Sequence, residues 1–516
     1  MSHDLDDGRT QHETGPTEPA HLHLRRLGID TYREHVIYMR ADCHVCLSEG
    51  FAARSRVRVS VNGMSLLATL NVVHSDLLGS DEAGLSEVAW RTLGAREGDK
   101  VDVKHPHTIE SERFIRAKAY GERLGPSAFD AIIRDIAGGE YSELQLAAFV
   151  TACAGDRLDL EETTALTRAM IAVGDRIAWP YPVVADKHSV GGLPGNRTTM
   201  IVVPIIAALG LPIPKTSSRA ITSPSGTADT METVAPVDLD LAAMRRVVEQ
   251  EGACIVWGGA VRLSPADDIL IQVERPLDFD SDGQLVGSVL SKKVAAGSTH
   301  LVVDMPVGPT AKVRSAASAD RLADRLTRVG EALGLKIRIA RTDGTQPVGR
   351  GIGPALEARD VLSVLRGETG APQDLRARAL LLAGELIELV GRARPGEGRR
   401  VAEEALASGA AWRKFQAICD AQGGIREPPR AVFVHPVLAG VSGRITAMDN
   451  RRLAKEAKLA GAPASRAAGI DLHVPVGATV EHGEPLFSVH AQSHGELDYA
   501  LHYISDQSGI ISIGGN

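Results

Sequence analysis

The sequence has little aromatic character: eight Phe, seven Tyr and four Trp make up 4% of 516 residues. Set against 52 glycines, this suits an α/β protein rich in turns. Cysteine is scarce too. Five in such a length do not make a disulfide framework, which points to a reducing compartment. No run of 18 or more apolar residues is available to span a membrane as a helix. The acidic N-terminal stretch MSHDLDDGRTQHETGPTEPA lacks the apolar segment of a signal peptide and reads as a disordered tail. An excess of positive charge is likewise missing. With 57 Lys and Arg against 65 Asp and Glu, the net charge of -8 argues against a general nucleic-acid binder, while leaving room for local basic sites. The expectation is a cytoplasmic protein with neither membrane nor nucleic acid as partner. The length exceeds what one hydrophobic core supports, so several domains are expected.

The hydrophobic pattern changes period along the chain. After the tail (1–20), residues 21–106 read as a small β-rich module. Val57-Arg58-Val59-Ser60-Val61 alternates strictly, Leu67-Ala68-Thr69-Leu70 is a second strand, and Gly98-Asp99 turns into Lys100-Val101-Asp102-Val103. In residues 107–180, Phe129, Ile132, Ile133 and Ile136 fall at helical spacing behind Gly125-Pro126-Ser127, and Asp159 with Glu162 has the pattern of a capping box. This stretch is expected to be a helical domain without chemistry of its own. In residues 181–432 strands alternate with helices, as in a βα sheet. Pro182-Val183-Val184-Ala185-Asp186 and residues 300–305 look like buried strands, while 359–365 and 375–389 look like helices. Residues 433–516 return to short strands, with one helix expected around 450–459.

The segment richest in chemistry is Asp186-Lys187-His188-Ser189-Val190-Gly191-Gly192-Leu193-Pro194-Gly195-Asn196-Arg197-Thr198-Thr199. It follows a strand and precedes an apolar helical stretch. A glycine-rich turn at a helix N-terminus presents backbone N–H groups and the positive end of the helix dipole. Lys187 adds a charge, and Ser189, Thr198 and Thr199 add hydroxyl donors, a combination suited to a phosphate oxyanion. No Gly-Lys-Ser/Thr ends the loop, so it is not a Walker loop. The bland alternative is a flexible connection. A second polar loop runs from Lys215 through Thr216-Ser217-Ser218-Arg219-Ala220-Ile221-Thr222-Ser223 to Gly226-Thr227-Ala228-Asp229. Arg219 and the hydroxyls could contact phosphate; composition alone would also fit a solvated surface loop. Three further features carry less. Cys43-His44-Val45-Cys46 has no second pair at zinc spacing. Gly349-Arg350-Gly351-Ile352-Gly353 reads as the opening of a helix near Pro354. Lys455 and Lys458 lie in a charged helix whose default is a solvated face.

Lys187-His188-Ser189 with Gly191-Gly192, Ser218-Arg219 with Gly226-Thr227-Ala228-Asp229, and Ser288-Val289-Leu290-Ser291-Lys292-Lys293 together resemble the thymidine phosphorylase family. Leu193-Pro194-Gly195-Asn196-Arg197-Thr198-Thr199 and Ser218-Arg219-Ala220-Ile221-Thr222-Ser223 are closer to its AMP phosphorylase branch. The resemblance implies an α/β fold: a helical domain plus an α/β domain of the pyrimidine nucleoside phosphorylase type, an N-terminal β-barrel-like module and a C-terminal α+β domain. It implies that Lys187, Ser189, Gly191, Thr199 and Thr227 bind the attacking phosphate. His188 and Gly192 would lie at the substrate. Ser218, Arg219, Ala220, Ile221, Thr222 and Ser223 would hold the nucleotide, and Ser288, Lys292 and Lys312 would lie near base or sugar. Asp280 matches the proton donor proposed in the AMP branch, with Asp267 a second candidate. No metal and no cofactor are expected, inorganic phosphate being a co-substrate, and at least a homodimer is implied.

One departure bears on the base. Pyrimidine phosphorylases place an arginine against the base carbonyl, whereas the comparable stretch here, Pro265-Ala266-Asp267-Asp268-Ile269, carries an acid. That favours a purine or another base contact. The expected activity is a glycosyltransferase that cleaves an N-glycosidic bond with phosphate. The foremost substrate is a nucleoside 5′-monophosphate such as AMP, giving base and ribose 1,5-bisphosphate. Thymidine phosphorolysis and a non-catalytic nucleotide-binding scaffold are the alternatives. A departing base carries negative charge, so an acid must meet it, and Asp280 could do so only if burial raised its pKa.

Overall fold

The computed structural model describes residues 21–220, 223–277, 281–507 and 509–514. The expected tail and three site candidates, Ile221, Thr222 and Asp280, lie outside the described residues. The chain divides into two compact units, one running up to Glu110 together with Gly138–Ser142, the other comprising Ser111–Ala137 and Glu143–Asn516.

The first unit is a closed six-stranded barrel: β1 (Leu22–Arg26), β2 (Val36–Arg40), β3 (Arg56–Val61), β4 (Met64–Val73), β5 (Glu82–Leu85) and β6 (Lys100–Lys104), in the order β1-β5-β2-β4-β3-β6. Closure leaves no open sheet edge. The alternation along β3 buries Val57, Val59 and Val61 and turns the arginines and Ser60 outward. Asn62 and Gly63, with φ of 49° and 82°, make the tight turn into β4. Cys43 caps α1 (His44–Glu49), its Sγ accepting from the Cys46 N–H at 3.3 Å. Helix α2 (Glu87–Leu93) completes the unit.

The second unit begins with four helices, α3 (Glu112–Ala119), α4 (Pro126–Ala137), α5 (Glu143–Ala152) and α6 (Leu160–Ala172). Phe129, Ile132, Ile133 and Ile136 are all buried along α4. Asp159 and Glu162 form the expected capping box. Glu162 also takes a buried ion pair from Lys118 (2.6 Å) and the Leu124 N–H (2.8 Å), which ties α3, α4 and α6 together.

Five parallel strands then form the sheet: β7 (Ala185–Ser189), β8 (Ile213–Ser217), β9 (Ala253–Trp257), β10 (His300–Val307) and β11 (Lys336–Asp343). The pairings are β11-β10-β7 and β8-β9, and the Ala185 N–H to the Pro212 carbonyl, 2.9 Å, sets β8 beside β7. Successive strands leave β7 first toward β8 and β9, then on its other side toward β10. The carboxyl end of β7 is therefore a topological switch point, where α/β sheets open a crevice. Helices α7 (Thr199–Ala208), α8 (Thr227–Glu232) and α9 (Leu241–Glu251) connect the first three strands. Helices α10 (Pro265–Leu277) and α11 (Asp282–Ala295) leave the sheet and pack on α4, α5 and α6, so the helical layer draws on two separated stretches of chain. The Gln284 side chain donates to the Val150 carbonyl (2.9 Å) and the Ser281 hydroxyl to that of Cys153 (3.1 Å), pinning α11 there.

After α12 (Ala316–Ala332) and β11, the short strand β12 (Gly351–Ile352) leads into α13 (Pro354–Arg366), and α14 (Gln373–Leu389), α15 (Gly398–Ala407) and α16 (Ala410–Ala421) follow. The glycine run at 349–353 thus opens a helix, as read from the sequence. The C-terminal part holds β13 (Phe433–Leu438), β14 (Gly443–Met448), α17 (Asn450–Leu459), β15 (Gly469–Leu472), β16 (Thr479–Val480), β17 (Pro485–Ala491), α18 (His494–Asp506) and β18 (Ile511–Gly514). It contains two helices where one was expected. Helix α18 has a capping box at Ser493 and Glu496 but buries only Ala500 fully, so its apolar stripe is faint. Among the described residues, no helix is long and apolar enough to cross a membrane, and no cluster of three or more His, Cys, Asp or Glu is placed to hold a metal ion.

All five cysteines are buried, and burial, with Cys43 beside it, pushes the Cys46 thiol up to about 12. A protonated, buried thiol is inert. The native protein is expected to show no fast-reacting thiol toward Ellman's reagent at about pH 8, and to show all five once denatured. A reactive or oxidised Cys43–Cys46 pair would contradict this.

Candidate active site

The site is built where β7 runs out. Lys187 is fully buried on β7, and its ammonium donates to Thr198 Oγ1 (2.8 Å) and Thr199 Oγ1 (3.4 Å) at the start of α7. Asp304, buried on β10, lies 4.0 Å away. Burial pushes the Lys187 pKa down to about 8; Asp304 opposes the shift, and the charges of Arg197 and Arg378 add to it. Asp304 also accepts from Asn196 Nδ2 (2.7 Å), Ser189 Oγ (3.1 Å) and Thr342 Oγ1 (2.6 Å), so one carboxylate orients both ends of the glycine loop. Gly192 has φ of 78°, and a Cβ there would sit 2.6 Å from the Lys312 backbone nitrogen. Only glycine lets this loop lie against the Lys312 segment.

A second layer of charge lies beneath. Asp186, fully buried, receives Lys293 (2.9 Å), Lys215 (3.4 Å) and the Ser298 hydroxyl (3.0 Å). Burial works against its ionisation, but Lys215 and Lys293 outweigh it and hold its pKa below the ordinary carboxylate value. Burial brings Lys215 down to about 7. It also drives the His188 pKa well below its usual value, with Lys293, Lys215 and Lys187 assisting. His188 is a neutral imidazole at physiological pH, fitted to hydrogen-bond a substrate.

Arg197 joins the two loops. Its guanidinium donates to Thr227 Oγ1 (3.1 Å) and the Ser225 carbonyl (2.7 Å), and pairs with buried Glu357 on α13. Glu357 also accepts from Thr230 Oγ1 (3.1 Å) and the Gly353 N–H (3.2 Å). Asp229 shapes the second loop by accepting from the backbone N–H groups of Ala220 (2.6 Å) and Gly226 (2.9 Å). Arg219 is drawn into carboxylates: Glu232 at 2.7 Å, and Asp229 and Asp238 at 3.4 Å, with its guanidinium 4.9 Å from the centre of the Trp257 ring.

These parts enclose one cavity of about 930 Å³, the upper end of the range for small-molecule sites. Lys187, His188 and Ser189 line it from β7, Gly191, Gly192 and Thr199 from the loop and helix start that follow, and Ser218, Arg219, Ser223 and Thr227 from the loop after β8 and the start of α8. Ser288, Lys292 and Lys312 face them, with Asp268 and Glu274 on α10. Ala220 contributes backbone only to the Asp229 turn. Asp267 is buried behind the wall and ion-paired with Lys292. Burial and the neighbouring Asp267 push the Glu274 carboxyl up to about 7, Lys312 and Lys292 opposing.

Sequence reading gives no sign of Glu274, quotes Arg197 in the loop motif without a role of its own, ends a strand run at Asp304, and reads Lys455 and Lys458 of α17 as a solvated face. Asp304 had a signal, an acid ending the apolar run Leu301-Val302-Val303. Arg197 and Glu357 meet across 160 positions, a pairing no local pattern encodes.

A glycine loop with buried lysines and hydroxyls, opening on a roomy cavity, can hold an oxyanion against an organic substrate. "Glycosyl transferase family, helical bundle domain" matches residues 112–174, "Glycosyl transferase family, a/b domain" residues 181–412, and "Pyrimidine nucleoside phosphorylase C-terminal domain" residues 444–510. Fold and site therefore define a glycosyl transferase of the nucleoside phosphorylase type. Over 495 residues the chain is 64% identical to a Polaromonas sp. protein named "Putative thymidine phosphorylase", covering 96% of this chain and 97% of that one. It is 61% identical to "Putative thymidine phosphorylase 2" of Acidovorax sp. (98% and 99% covered) and 58% identical to a Legionella pneumophila protein bearing the first name (96% of each). The chain belongs to this thymidine phosphorylase family. Its substrates are accordingly a small molecule of the nucleoside class and phosphate.

Two outcomes follow from the buried lysine. Lys187→Met is expected to lower kcat/KM about 10²–10³-fold, as loss of one preorganised electrostatic donor does. Because the Lys187 pKa is depressed, its charge is present below about 8 and is lost as pH rises through that value. The KM for phosphate should therefore climb above about pH 8. A KM that stays flat through about pH 9.5 in initial-rate assays would contradict the assignment.

Proposed function

We propose that the chain phosphorolyses a nucleoside 5′-monophosphate, with AMP the foremost candidate, to free base and ribose 1,5-bisphosphate. The observation that carries this reading is the acid on the cavity wall. Asp268 lines the cavity in the stretch where a pyrimidine phosphorylase has an arginine for the base carbonyl. A carboxylate repels a carbonyl oxygen and accepts from an exocyclic amino group, such as that of adenine.

In this mechanism Lys187, Ser189, Thr199, Thr227 and the backbone of the loop at Gly191 hold phosphate at the switch point. A phosphate oxygen bonds to C1′ as the C1′–N bond breaks, and the electron pair of that bond leaves with the base. The transition state carries positive charge on the sugar, so the bound anion stabilises it, and fixing both reactants removes much of the entropic barrier. Neutral His188 and Ser288 position the substrate. Lys292, held by Asp267, meets the negative charge developing on the base. By the family resemblance, Asp280 supplies the proton the base takes up.

Thymidine phosphorolysis is the second reading, supported by the names of the relatives. A chromatographic screen of base release from AMP, CMP, UMP, adenosine, uridine and thymidine, with and without phosphate, separates them. Phosphate-dependent release from AMP and not from adenosine is expected. Release from thymidine or uridine alone would overturn the nucleotide reading, and no phosphate-dependent release from any of them would overturn phosphorolysis itself.

A further inference from the structure

We infer that α17 of the C-terminal part supplies the cationic surface that binds the substrate's 5′-phosphate, an inference that rests on the monophosphate reading above. Arg451, Lys455 and Lys458 stand at i, i+4 and i+7, one face of a helix. All three are exposed and all three line the cavity, while Leu453, Glu456 and Ala457 on the other face are buried.

The helix is fixed to the cavity rim. At its start, Asn450 accepts no latitude: its backbone N–H and Nδ2 both donate to Thr310 Oγ1 (3.2 and 3.0 Å), and Nδ2 also donates to the Gly344 carbonyl (3.0 Å). Thr310 precedes the Lys312 segment that packs on Gly192, so α17 starts beside the glycine loop and runs along the same opening.

Arg219 is already engaged by Glu232, Asp229 and Asp238, and Arg466 also pairs with Glu232, so these guanidiniums are held by protein carboxylates. On α17 the one carboxylate, Glu456, points away from the cavity side, and burial pushes it up to about 8, so it is largely neutral. The preceding Asp449 is taken up by Arg452 and by the helix N–H groups. Lys455 lies over the Tyr503 ring at 4.7 Å, which holds its ammonium in place. A substrate phosphate and the attacking phosphate are both anions in one cavity. They need separate cationic poles, and α17 is the second.

The test is steady-state kinetics of Lys455→Gln/Lys458→Gln, with Lys455→Arg/Lys458→Arg as the charge-keeping control and thermal unfolding to verify folding. The KM for AMP is expected to rise about tenfold or more in the glutamine variant, the scale of one lost charge-assisted contact. The arginine variant should restore it, and the KM for inorganic phosphate should change far less. If wild-type protein cleaves AMP and the glutamine variant keeps its KM within about twofold, this inference fails while the monophosphate reading stands. An equal rise in the KM for inorganic phosphate would also overturn it, showing a face that attracts anions in general. Should wild-type protein cleave nucleosides alone, the monophosphate reading fails first and α17 has no phosphate to bind.

Discussion

The structure depends on a positive charge kept out of water. Lys187 on β7, Lys215 on β8 and Lys293 on α11 are all buried, and among the described residues the buried carboxylates paired with them are two, Asp186 and Asp304. Three against two leaves the site one charge short of balance. Isolated buried charge is expensive, and a protein normally pairs it or lets it titrate away. Burial, ahead of any neighbouring charge, brings the Lys187 and Lys215 pKa values down to about 8 and about 7, and nearby cations add to the shift. On the proposed reading, an anion at the glycine loop would offset the cost of keeping Lys187 charged, which is why phosphate is placed there.

Everything near the loop serves to hold that deficit in place. Asp304 orients Lys187, Ser189 and Asn196 from β10, and Arg197 links the first loop to the second through Thr227 and Ser225. Glu357 on α13 balances Arg197 without taking charge from the lysines. The other wall, α10 and α11, is carried by the helical layer rather than the sheet, as the bonds from Gln284 and Ser281 require. The groups that line the cavity thus stand on elements from two layers, which would suit a reaction whose main demand is positioning.

The parts legible in the sequence were those with local signatures. Strict alternation gave β3, apolar residues at helical spacing gave α4, and a strand, glycines and an apolar helix gave the loop from Lys187 to Thr199. What was not legible depends on distant partners. Arg219 reads as a phosphate ligand because its neighbours in sequence are hydroxyls; it does line the cavity, and its ion pairs with Glu232 and Asp238 carry no local sequence signal. Lys455 and Lys458 looked like a solvated face, and their exposure is real, but the solvent they meet is that of the cavity. Glu274 reads as an ordinary helix carboxylate until burial beside Asp267 raises it toward neutrality.

Proton uptake on phosphate binding tests the central claim most directly. Calorimetric titration of the protein with inorganic phosphate at about pH 8, repeated in buffers of different ionisation enthalpy, gives the number of protons taken up. An anion that completes the charge balance raises the depressed lysine pKa values, so net uptake is expected, and it should shrink in Lys187→Met. Phosphate binding with no proton uptake, or with net release, would contradict a site held cationic and incomplete by Lys187 and Lys215.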